Sequence, residues 1–170
     1  TDPNEQALAL ALEHLANAKS AFSIWQLSAE NLKPLNDNCF EFVSAFEVFC
    51  YLTNPLEGLL EAARVLQPNG TLVLSVETAW GALARGESNT PPINNTYANE
   101  HDSWVHFYTR QRLREQLEKV GLEVESIQGV HYLLDGPYAD QVDFERLHVD
   151  SVREELVLRD KQMDDGLHDT

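Results

Sequence analysis

His101, Asp102 and His106 fall close together in one stretch of this 170-residue chain. An imidazole exchanges its proton near neutral pH, so such a group could supply a general base or part of a metal site. No third ligand stands at metal spacing, so no metal is expected, and solvent-facing loop residues are the competing reading. Trp80, Tyr97, Trp104, Phe107 and Tyr108 give the same stretch an aromatic character. That suits a lid over an apolar ligand, and equally the plain packing of a loop onto a sheet. The stretch 78–107 carries Gly, Pro and Asn without hydrophobic periodicity. Connections longer than ~12–15 residues are usually functional, so it is expected to form a ligand-side loop or lid. Cys39 and Cys50 match no metal spacing, and no residue pattern marks a base for Cys50. Reduced, half-buried thiols are the expectation for both.

The elements that must position these residues follow from periodicity and turn chemistry. Asp2-Pro3-Asn4-Glu5 opens a helix with Asp2 as expected N-cap, and Leu8, Ala11, Leu12 and Leu15 mark its apolar face. Phe22 to Leu27 alternates as a strand does, and 31–38 is rich in turn residues. Phe40 to Ala45 is a short apolar strand, followed by the acidic loop that contains Glu47. Asn54-Pro55 starts a second helix whose apolar positions Leu56, Leu59, Leu60, Ala63 and Leu66 keep a helical period. Pro68-Asn69-Gly70 stops that helix, and Thr71 to Val76 reads as a strand covered on both faces. Thr109 caps a further helix with Leu113, Leu117 and Val120 inward and Gly121 at its end. Leu122 to Val130 is a strand, and 140–161 an acidic, charged helix. The alternation predicts one domain over 1–170, an α/β layer fold with a mostly parallel sheet. Loops at the carboxyl ends of such strands are where nucleotide-like ligands bind.

Composition narrows the partners. Twenty-eight acids against 12 Lys and Arg give a formal charge of −16. An anionic surface repels phosphate backbones, so nucleic acid is not an expected partner. No run approaches the ~20 apolar residues of a membrane helix, and no membrane association is expected. A cytoplasmic location is the expectation.

Several motifs in order carry a family resemblance. Phe40-Glu41-Phe42-Val43 through Phe46-Glu47-Val48, and Ala63-Arg64-Val65-Leu66-Gln67-Pro68-Asn69-Gly70, resemble the central motifs of class I S-adenosylmethionine-dependent methyltransferases. Tyr108-Thr109 with the helix to Gly121-Leu122-Glu123-Val124 is similar to that family's late segment. The resemblance spans residues 2 to 130 and implies a Rossmann-like sheet with S-adenosylmethionine as cofactor. It implies that Asp2 accepts from the ribose hydroxyls while Pro3 flanks the adenine. Ser28, Ala29 and Glu30 fall where the family contacts the adenine ring. Ala45 and Phe46 fall beside the methionine portion, where Phe46 could equally be core. Tyr51 stands where many relatives carry His, and with Trp80 and Trp104 it is placed on the substrate side. His101, His106 and Tyr108 are the candidates for a base, but no catalytic residue is assigned. Methyl transfer can run on alignment of donor and acceptor alone. The implied acceptor is a small molecule.

The family's Gly-x-Gly-x-Gly loop is not found, and its place would precede Thr1. The sheet is therefore expected to be incomplete at both ends, and this piece alone is not expected to bind the cofactor tightly. Two rivals are a non-catalytic methyltransferase-like subunit using its acidic C-terminal helix, and a nicotinamide-dependent oxidoreductase. The second lacks any Tyr-x-x-x-Lys proton relay in the Phe40 to Gly70 region.

Overall fold

The computed structural model describes residues 1–78, 96–98 and 104–129. The chain opens with helix α1, Glu5–Leu15, capped by Asn4 rather than by Asp2. The Asn4 side chain accepts from the backbone N–H groups of Gln6 and Ala7 at 2.9 and 3.3 Å. Asn4 has the extended backbone an N-cap requires, which leaves Pro3 outside the helix. Asp2 Oδ1 instead accepts from the Asn4 N–H at 2.7 Å, fixing the turn that feeds α1.

Phe22 to Leu27, expected as a strand, forms no ladder among the described residues. The Leu27 N–H donates to the Trp25 carbonyl at 3.1 Å, closing a three-residue turn that spends these groups locally. The same carbonyl accepts from the Asp2 N–H at 3.3 Å. Strand β1, Phe40–Phe46, runs parallel to β2, Leu66–Ser75, and the pairing ends at Phe46 with Ser75.

Between them the chain makes a 3₁₀ turn at Phe49–Tyr51 and helix α2, Pro55–Val65. Pro at the first helical turn costs nothing, since its missing N–H had no helical partner. The Pro68-Asn69-Gly70 turn lies inside the β1–β2 ladder as a bulge and does not precede the strand. Asn69 holds it with φ 65°, a left-handed geometry that Asn tolerates.

Among the described residues the larger core cluster is Phe49, Leu59, Ala62, Tyr108, Leu113 and Leu117, and a second gathers Cys50, Val105 and Phe107. Helix α2 buries Gly58, Leu59, Ala62 and Val65. Leu60, expected inward, is 44% exposed because it lies about a quarter turn off that stripe. Leu72 and Leu74 of β2 and Ala45 of β1 pack against the cluster. Successive strand residues point to opposite faces, so Phe42 and Val73 point away from it and are exposed. Among the described residues β2 is therefore covered on one face and not on both.

Past Thr78 the structure resumes with a short antiparallel hairpin, β3 at Thr96–Ala98 and β4 at Trp104–His106, within a stretch expected to be irregular. Helix α3, Arg110–Lys119, starts at Thr109, whose hydroxyl accepts from the Arg112 N–H at 3.2 Å. It ends before Gly121, at φ 85°. Residues 122–129 form no ladder, so the strand expected from Leu122 is not seen over them; Leu122 and Val124 still pack on the core. Val130 and the helix expected over 140–161 lie outside the described residues.

Arg64 fastens the 32–37 loop to α2. Its guanidinium donates to Glu61 at 2.8 and 3.0 Å, to Asp37 at 2.6 Å, and to the carbonyls of Leu35 and Leu32 at 2.9 and 3.0 Å. Glu61 also accepts from the Leu32 N–H at 2.6 Å. The hydrogen bonds from Arg64 hold the Glu61 carboxyl below its ordinary range.

Candidate functional site

The carboxyl ends of β1 and β2 define the crevice where an α/β sheet receives its ligand. Hydrogen bonds link three of the segments singled out in the sequence. Asp2 meets Trp25 as described, and the Pro3 carbonyl accepts from Gln26 Nε2 at 3.1 Å, setting residues 2–3 beside 25–26. The Ser28 hydroxyl accepts from the Glu30 N–H at 3.2 Å, and Ala29 sits half-buried in that turn. The Glu30 carboxylate accepts from the Asn54 N–H at the head of α2. Glu30 thus ties the 28–31 turn to the segment that follows β1.

Ala45 is half-buried on the core, while Phe46, 64% exposed, projects at the strand tip and is not core. Tyr51 ends the 3₁₀ turn and is exposed. Its neighbour Leu52 offers its carbonyl to His106 Nε2 at 2.8 Å. A carbonyl can only accept, so Nε2 carries the proton. This bond anchors β4 to the turn after β1, and Val105 and Phe107 enclose Cys50 there.

Tyr108 is a core side chain whose N–H donates to the Glu77 carbonyl at 2.9 Å. Burial pushes its phenol up to about 12, so it stays protonated at neutral pH. Burial likewise pushes the Cys50 thiol up to about 12, while Cys39 is exposed. Trp104 lies in β4 opposite Ala98. Trp80, His101 and Asp102 lie outside the described residues. Among those described, no three His, Cys, Asp or Glu side chains are disposed to hold a metal, and no helix is long and apolar enough to cross a membrane.

Sequence reasoning missed the link between Glu47 and Ser75. The Glu47 N–H donates to Ser75 Oγ at 3.0 Å and to the Ser75 carbonyl at 3.2 Å. In return Ser75 Oγ donates to Glu47 Oε1 at 2.6 Å. No periodicity reveals this, because it joins residues far apart in sequence across a strand tip. Sequence reasoning also missed the Arg64–Glu61 pair, one helical turn apart at 2.8 Å, and its role as the hub of the 32–37 loop.

Parallel strands joined through a helix that packs on one of their faces define a Rossmann-like α/β protein, a class that binds ligands at the carboxyl ends of its strands. Residues 1–74 match the family model described as a methyltransferase domain. With the ordered motifs quoted above, this match over the first part of the chain is consistent with the class I S-adenosylmethionine-dependent methyltransferases, a family whose cofactor is S-adenosylmethionine. No match was found among curated protein sequences.

Solved structures share the fold. A methyltransferase-assigned protein of Bacillus halodurans has 19% identity and TM-score 0.60, over 91% of this chain and 64% of that one. The Haloferax volcanii methyltransferase in complex with the Trm112 activator has 19% identity and TM-score 0.60, over 92% and 64%. An S-adenosylmethionine-dependent methyltransferase of Thermotoga maritima has 21% identity and TM-score 0.53, over 72% and 53%. The chain thus spans between about half and two-thirds of the length of these structures.

The cofactor suits the residues present. Asp2 uses one carboxylate oxygen on Asn4, and a carboxylate has about four acceptor positions, so capacity for a ribose diol remains.

Proposed function

We propose that the chain transfers a methyl group from S-adenosylmethionine to a small-molecule acceptor. The bound cofactor would supply an electrophilic methyl on a sulfonium. The chain's own contribution is to bind and align. Asp2 would accept from the ribose hydroxyls, Pro3 and the 28–30 turn would flank the adenine, and the Ala45–Phe46 tip would border the methionine end. Tyr51, with the hairpin that carries Trp104 and His106, would face the acceptor. The observations that support this reading most are two separate ties: residues 2–3 are hydrogen-bonded to residues 25–26, and Glu30 to Asn54 in the segment that follows β1. The −16 charge favours a small acceptor over nucleic acid.

Calorimetric titration of the full chain with S-adenosylhomocysteine tests the cofactor assignment. Asp2→Ala should weaken binding by about tenfold to a hundredfold, the span expected for hydrogen bonds to a charged group. Equal affinity in wild type and D2A would remove Asp2 from the site. Tritium transfer from labelled S-adenosylmethionine into small-molecule extracts, and not into protein or RNA fractions, tests the acceptor class.

A second reading, a methyltransferase-like subunit that works through a protein partner, draws on the Haloferax neighbour's complex with an activator. Exposed Phe40, Phe42 and Phe46 on β1 offer it a surface. Co-purification of a stoichiometric partner, with no methyl transfer by the complex, would favour it.

A further inference from the structure

We propose that Glu47 and Ser75 are positioning residues: they clasp the carboxyl tips of β1 and β2 so that the Ala45–Phe46 main chain is pre-set for the methionine end of the cofactor. This rests on the reading of the crevice as the S-adenosylmethionine site.

The β1–β2 register ends at Phe46 opposite Ser75. The next residue, Glu47, has φ 54°. The other described non-glycine residues with positive φ are Asn38 and Asn69. Asn visits the left-handed region readily, whereas Glu enters it only at a cost. Such a conformation persists where its surroundings over-determine it, and here every polar group of Glu47 that points back is held. The N–H has two acceptors on Ser75, Oε1 accepts from Ser75 Oγ, and Oε2 accepts from Cys50 Sγ at 3.6 Å. The Cys50 side chain is fully buried and its thiol stays protonated, so it can only donate in that contact.

The reversal has a purpose on both sides. Upstream it fixes how the Phe46 carbonyl and ring leave the strand. Downstream it drives the chain straight into the Phe49–Tyr51 turn, which carries Tyr51 and offers the Leu52 carbonyl to His106. A tip without the clasp would sample several conformations and would have to be ordered each time the cofactor bound. Neither Glu47 nor Ser75 is required to touch a reacting atom.

The test compares wild type, Glu47→Gln, Glu47→Gly and Ser75→Ala in the full chain, by calorimetric titration with S-adenosylhomocysteine alongside thermal unfolding. Glu47→Gln should bind within about twofold of wild type, since an amide oxygen accepts from Ser75 as the carboxylate did. Glu47→Gly and Ser75→Ala should each weaken binding by about fivefold to thirtyfold, the cost of ordering one backbone residue on binding. E47G should do so with its Tm held, because glycine is unstrained at this φ and offsets the lost side-chain bonds. Wild-type affinity in E47G and S75A overturns the proposal. So does E47Q binding as weakly as E47G, which would make charge the agent. Loss of affinity only in step with loss of Tm would show a purely structural role and overturn it too. Tight binding is not required of wild type; its failure to bind even millimolar S-adenosylhomocysteine overturns the cofactor reading itself, and is distinguished by appearing before any substitution.

Discussion

Gly58→Ala sets two familiar effects against each other, and their sum has a predictable sign. Gly58 lies inside α2 and is buried. Helix propensity alone favours alanine there by about 0.8–1.0 kcal/mol. A Cβ on Gly58, however, would lie 2.5 Å from Leu52 Cδ1 and 3.1 Å from Phe49 Cε1. Carbon atoms do not approach to 2.5 Å, so Leu52 or the helix must move. Phe49 is itself a buried core residue, which closes one direction of escape. Overpacking of this kind costs about 1–3 kcal/mol. Packing therefore outweighs propensity, and the net loss should be about 1 kcal/mol. In a chain of this size that lowers Tm by about 2–4 °C. The displacement also reaches the crevice, because Leu52 holds His106 through its carbonyl. Differential scanning calorimetry with a urea titration of the same protein measures the change. A rise in Tm would refute the reasoning, showing that Leu52 has room to yield and that propensity wins.

Alkylation with iodoacetamide at mildly alkaline pH should modify exposed Cys39 and spare Cys50, whose thiol is buried and pushed up to about 12; comparable labelling of both in peptide mass spectra would contradict that burial. Because Arg64 holds Glu61 below its ordinary value of 4.5, this carboxylate contributes stability that is present above that value and is lost as pH falls through the lowered one. Glu61→Gln should therefore flatten the fall in urea midpoint on the acid side of that value, and an unchanged slope would argue against the ion pair. Asn69→Gly should leave stability unchanged or slightly raised, whereas Asn69→Val should cost about 1–2 kcal/mol at the left-handed position. Equal urea midpoints for the two variants would contradict the assigned geometry.

What the sequence disclosed, and what it did not, divides by the range of the interaction. Helix α2 was legible from Asn54-Pro55 and its stripe, and α3 from Thr109 and Gly121, because caps and periodicity are local. The pairing of β1 with β2 followed from the strand-helix-strand order. Phe22 to Leu27 shows the limit: alternation marks a segment able to be a strand, but a strand exists only against a partner. Asp2 was misread as the cap because Asp and Asn are equally good at it, and only backbone geometry chose Asn4. At the site, the linear motifs indicated where cofactor residues should fall. They gave no sign that Glu30 is bonded to Asn54, or that Glu47 reaches Ser75. Those contacts depend on side chains meeting across a fold, which no spacing encodes.

The bulge between β1 and β2 carries a consequence for chain length. On β1 a single residue separates Phe40 from Phe42, while on β2 residues 67–70 separate their partners Leu66 and Thr71. Gly70 is wedged there, with the carbonyls of Gln67 and Glu41 at 3.0 and 3.1 Å from where a Cβ would stand. Beyond it, side chains alternate, with Leu72 and Leu74 on the core and Val73 outside. Removing one residue from the bulge while keeping the Phe40–Leu66 pair would exchange the two sets, burying Val73 and expelling both leucines. Removing or adding two would restore them. The segment therefore behaves as a parity check on insertions and deletions: even changes in its length preserve the fold, and odd ones turn β2 inside out.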